Sequence, residues 1–118
     1  MTINFNESDD GPPEGDGGPG IPTPMDKLMS AIPHRTNHFQ VTEPMNPAHY
    51  DVLIIPNIKW GMKAGDDPKE VFAKNWSKCE QYGKEALRWI QSKGVNLKDL
   101  RICWLWDEFW PKGKTIKL

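Results

Sequence analysis

Three histidines and an aspartate lie close together in the first half of the chain: His34 and His38 are four apart, and His49 precedes Asp51 by two. Neutral imidazoles with a carboxylate are ligands for zinc or a similar ion, and in extended backbone His49 and Asp51 share a face. That chemistry belongs to a metal-dependent enzyme. Against it, His34 and His38 flank the turn-like Arg35-Thr36-Asn37, which suits surface histidines and a turn-stabilising His49. Cys79 and Cys103 have no metal-ligand spacing. Cys79 falls on the apolar side of a helix, where a thiol is a small buried hydrophobe rather than an accessible nucleophile. The chain has neither a Gly-x-Gly-x-x-Gly fingerprint nor a Walker loop, so no nucleotide site of those types and no cofactor is expected.

The second group of chemically capable residues is aromatic. Trp104, Trp106, Phe109 and Trp110 crowd one stretch and are followed by Lys112, Lys114 and Lys117. Rings interleaved with cations are what single-strand nucleic-acid binders use to stack bases and follow phosphates. On that reading Trp104, Trp106, Trp110, Lys112 and Lys114 form the surface. Exposed rings serve a protein partner equally well, because Trp and Tyr dominate interface energies. Trp60, between Lys59 and Lys63, then joins Trp106, Phe109 and Trp110 as partner-contacting residues.

Charge helps to rank these readings. The formal net charge of -1 conceals an asymmetry: Glu7, Asp9, Asp10, Glu14 and Asp16 make residues 1–24 acidic without any Lys or Arg. The 15 basic side chains and the 11 acidic ones left after removing those five from 16 give the remainder +4. A body of +4 is small for phosphate-backbone binding. The expected function is therefore a non-enzymatic interaction protein with an unidentified protein partner, with single-stranded nucleic acid as the alternative and a metal-dependent enzyme third.

These residues need a framework. Residues 1–24 are rich in Gly, Pro and acids and cannot bury enough apolar surface to offset chain entropy, so they are expected to be a disordered leader to a single compact domain over 25–118. The acidic start lacks the basic and apolar regions of a secretory signal, and no apolar run approaches a membrane span. An intracellular setting without membrane contact follows, and two cysteines without a framework spacing agree with it.

The domain is expected to be α+β, a small sheet packed on one long amphipathic helix over 66–94. Asp67 caps it, with Glu70 placed for a capping box and Pro68 at the first helical position. Phe72, Trp76, Cys79, Gly83, Ala86, Leu87 and Ile90 recur at helical spacing on one face, and Gly94 closes the helix. Gly83 on that stripe costs about 1 kcal/mol relative to Ala, which predicts close approach by another backbone or, failing that, a kink. A short helix is expected over 25–32, stopped by Pro33. Strands are expected over 38–43 and 50–55, the second buried on both faces. Residues 100–106 read as a third strand, with a helix capped by Asn96 as the alternative, and 114–118 as a short edge strand.

Asn46-Pro47-Ala48-His49-Tyr50 resembles the Asn-Pro-x-His-Tyr element that opens a small bacteriophage domain of unknown function. Ile58-Lys59-Trp60, Ala64-Gly65 and Ala86-Leu87-Arg88-Trp89-Ile90 are similar to its later parts. Where that family runs on into helix, residues 52–56 here read as a strand. The resemblance implies a phage-encoded or mobile-element accessory protein and carries no activity with it.

Overall fold

A computed structural model describes residues 21–58 and 65–118. Their α+β architecture runs α1 (Pro24–Ala31), β1 (His34–Arg35), β2 (Phe39–Thr42), β3 (Val52–Pro56), α2 (Pro68–Lys74), α3 (Trp76–Gln91) and β4 (Ile102–Trp104), with 3-10 turns at Leu97–Asp99 and Asp107–Phe109. The leader residues 1–20 and the connection around Trp60 lie outside the described residues.

The sheet order is β1-β2-β3-β4. β1, β2 and β3 are antiparallel neighbours, whereas β4 runs parallel to β3 with Val52 opposite Ile102 and Ile54 opposite Trp104. A parallel pair needs a crossover between its strands. Here α2 and α3 supply it, and α3 packs on β2 and β3.

The core follows from the strand period. Phe39 and Val41 on β2 alternate with half-buried Gln40 and Thr42, and their register partners Pro56 and Ile54 share the same face. Phe39, Val41, Val52 and Ile54 form one buried cluster with Cys79, Ala86, Leu87 and Ile90 of α3, Phe72 of α2 and Leu28 of α1. Each fully buried Val, Leu or Ile side chain contributes about 1.5–3 kcal/mol relative to exposure. On the other face Leu53 is buried and Ile55 only half-buried, so β3 is less enclosed there than its apolar run predicts.

The helix expected over 66–94 is two helices. Asn75 has φ -108° and ψ 14°, and both its backbone N–H (3.1 Å) and its side-chain amide (2.9 Å) donate to the Val71 carbonyl. A short amide that reaches its own backbone competes with regular helix geometry, and the helix is interrupted at that residue. Asp67 caps the start as expected, accepting from the Lys69 N–H at 3.0 Å, but the expected capping box with Glu70 does not form; Gly94 has φ 87° just after the last turn. At the other helix, Thr23 and Asp26 form a reciprocal capping box with both contacts at 3.1 Å. Thr23 and Pro24, assigned to the leader on composition, thus belong to α1.

Gly83 is explained by side chains, not by another backbone. A Cβ there would lie 2.7 Å from Ile116 Cδ1 and 3.0 Å from both Ile116 Cγ2 and Trp104 Cζ3. The segment expected as an edge strand over 114–118 is instead irregular, and it drops buried Ile116 into this notch. The notch explains the difference, because holding one side chain against a helix needs no ladder of hydrogen bonds.

Candidate interaction surface

The C-terminal aromatic stretch is sorted by one unusual backbone residue. β4 ends at Trp104, Leu105 still donates to the Ile54 carbonyl at 3.1 Å, and Trp106 then takes φ 59°, ψ 32°. A bulky side chain in the left-handed region is an outlier. That geometry reverses the chain into the Asp107–Phe109 turn, where Phe109 and Trp110 donate backward to Trp106 and Asp107 at 3.0 Å each.

The reversal sends the neighbouring rings inward. Phe109 packs towards Phe72 at 6.5 Å, and Trp110 meets Trp76 edge-on at 5.1 Å and Trp104 at 5.5 Å. Trp104, Phe109 and Trp110 are all half-buried against the core, while Trp106 is 43% exposed. Beside Trp106 lies a mostly apolar hollow of about 260 Å³ lined by Ile55, Pro56, Asn57, Ile58, Phe72 and Leu105. Of the four rings expected to touch a partner, Trp106 is exposed, Phe109 and Trp110 serve mainly as packing, and Trp60 lies outside the described residues.

The expected nucleic-acid surface is divided in the same way. Lys112 and Lys114 are exposed, but two of its three rings, Trp104 and Trp110, are half-buried against each other and the core. Continuous stacking of bases requires free ring faces, which the packed Trp104 and Trp110 do not offer. Trp110 Nε1 is buried and has no hydrogen-bond partner among the described residues.

The histidine and aspartate group is dispersed. His34 stacks flat on Trp89 with centroids 4.1 Å apart, and the Lys93 ammonium lies 5.2 Å from that indole. His38 Nδ1 sits 3.0 and 3.2 Å from the two Glu85 oxygens while its ring stacks on Tyr82. His49 is exposed in the 46–50 turn, and Asp51 is held by Arg101. Among the described residues no group of three or more His, Cys, Asp or Glu is placed to hold a metal ion. The short sequence spacing misleads because β1 and β2 form a hairpin and each imidazole turns to a different part of α3.

The His38–Glu85 contact could not be read from sequence. The helical period places Glu85 on the wet side of α3, and only the docked hairpin brings His38 to it. A carboxylate on Nδ1 orients an imidazole for proton transfer. Among the described residues no hydroxyl or thiol hydrogen-bonds that ring, so the pair as it stands anchors the hairpin to α3. Both thiols are free, and burial pushes the Cys79 thiol up to about 12 and raises that of Cys103.

Compared with family models, curated proteins and solved structures, the chain matches none. Among the described residues no helix is long and apolar enough to cross a membrane.

Proposed function

We propose that this chain is a non-enzymatic interaction protein, an accessory factor of a phage or mobile element that binds a host or viral protein through the face centred on Trp106. The observation that carries this reading is the contrast within one stretch: the neighbouring rings are folded inward, and Trp106 is turned out beside an apolar hollow. A left-handed non-glycine residue costs of order 1–3 kcal/mol and tends to mark a functional site. Tryptophan is also among the residues enriched at the energetic centre of protein interfaces. The modest charge of the body and the half-buried Trp104 and Trp110 favour a protein over nucleic acid.

The test is capture from a host lysate by tagged full-length protein, with and without nuclease, comparing wild type with Trp106→Ala. The expected result is a nuclease-resistant partner whose binding weakens by about 2 kcal/mol or more in the variant. Equal binding by a folded Trp106→Ala protein would remove Trp106 from the interface. A partner lost on nuclease treatment moves the assignment to nucleic acid.

A further inference from the structure

We propose that the apolar groove beside β4 is the docking site of this chain's own residues 1–20. The groove, about 740 Å³, lies between the end of α3, the Leu97–Asp99 turn, β4 and residues 116–118. Leu87, Val95 and Ile116 are its buried floor, with Ile102 and Trp104 half-buried along one side. Two charged side chains line it, Lys98 and Lys117, and both are positive.

Residues 1–20 match that lining in charge and pattern. They carry five carboxylates and no Lys or Arg, and Ile3 and Phe5 alternate with Thr2, Asn4 and Asn6. In an extended segment alternate residues fall on one side, so Ile3 and Phe5 suit the apolar floor while the following acids suit Lys98 and Lys117.

The tether is in the right place. Pro24 carbons lie 3.5 Å from where Gly94 would carry a Cβ, Pro22 shares a hollow with Gly94 and Lys93, and Gly94 itself lines the groove. Twenty residues reach as far as roughly 66 Å when extended, so the whole groove is accessible. A tethered segment also meets its site at an effective concentration in the millimolar range, which lets a weak contact be occupied. The groove shares no lining residue with the hollow beside Trp106, so this inference stands apart from the proposed function.

The experiment is nuclear magnetic resonance on isotopically labelled full-length protein. Contacts are expected between the Phe5 ring and Ile116 methyls or the Trp104 indole. The double variant Ile3→Ala/Phe5→Ala should shift the Trp104, Ile102 and Ile116 resonances, leave Val41 and Ile54 unmoved, and speed amide exchange near Leu97 and Ile102 by about fivefold or more. Lys98→Glu/Lys117→Glu, which alters only exposed side chains, should reproduce these shifts, and so should high salt, where the Debye length falls to about 3 Å. Groove resonances identical in wild type and Ile3→Ala/Phe5→Ala would overturn the proposal. Contacts that scale with protein concentration would also overturn it, by assigning the occupant to another molecule.

Discussion

Asp51 and Arg101, 50 positions apart, clasp the point where β3 and β4 begin to run side by side. Asp51 Oδ1 accepts from Arg101 Nη2 at 2.9 Å and Oδ2 accepts from the Arg101 backbone N–H at 2.8 Å, while the Asp51 N–H donates to the Arg101 carbonyl at 2.7 Å. Arg101 Nη1 also donates to the Ala48 carbonyl at 3.0 Å, which ties down the 46–50 turn. The aspartate considered as a metal ligand is thus a register pin for the parallel pair.

That clasp has a pH signature. The Arg101 side-chain and backbone donors hold the Asp51 carboxyl below its ordinary 3.8. A lowered folded-state value means that ionised Asp51 adds stability which is complete above the unfolded value and is lost as pH falls through the folded one. Asp51→Asn is therefore expected to be less stable than wild type at pH 7 and to converge with it as pH falls through the lowered folded-state value, as urea titrations at descending pH will register.

Gly83 and Ile116 form a matched notch and plug. Gly83→Ala gains about 1 kcal/mol of helix propensity, but its methyl meets Ile116 Cδ1 at 2.7 Å, and overpacking costs typically 1–3 kcal/mol. A net loss of up to about 2 kcal/mol is expected. In an Ile116→Val background, which lacks the Cδ1 atom but keeps a γ-methyl, the same change should cost less, and a double-mutant cycle will report the coupling.

Trp106 and Trp110 should respond in opposite ways to substitution. Trp106→Gly relieves a left-handed backbone while loosening the unfolded chain, two backbone effects that oppose each other, so its loss should be smaller than that of Trp110→Ala. Trp110→Ala empties packed space and should cost about 3–5 kcal/mol. Trp110→Phe removes the unpaired indole N–H and is expected to lose far less than Trp110→Ala, a ranking that thermal melts can decide.

The thiols separate by accessibility. Cys79 is fully buried with its thiol pushed up to about 12, and Cys103 is half-buried with a smaller rise. Alkylation at pH 8 should label Cys103 first, with Cys79 reacting only when the chain opens. Mass spectrometry over a time course should show one adduct before two; simultaneous labelling would contradict the packing of α3.

Much of this architecture is legible in local chemistry. The Asp67-Pro68 start and the Gly94 stop are set by groups within one turn, and the alternation of Phe39 and Val41 needs only the pleat. What local patterns cannot carry is partnership at a distance. Asn75 interrupts α2–α3 through its own side chain, which periodicity treats as just another polar position. β1 is two residues long and exists because β2 turns back on it. Trp104, Trp106 and Trp110 look alike in sequence, and a single left-handed residue decides which of them meets solvent.

The mixed sheet also divides assembly in time. β1, β2 and β3 are joined by short connections and can pair as soon as they collapse. β4 meets β3 only after α2 and α3 have been threaded between them, so its loop-closure entropy must be overcome before any ladder bond rewards it. The Trp106 reversal and the seating of Ile116 lie beyond β4 in the chain and depend on its arrival. The aromatic face and the groove therefore rest on the longest-range pairing in the sheet.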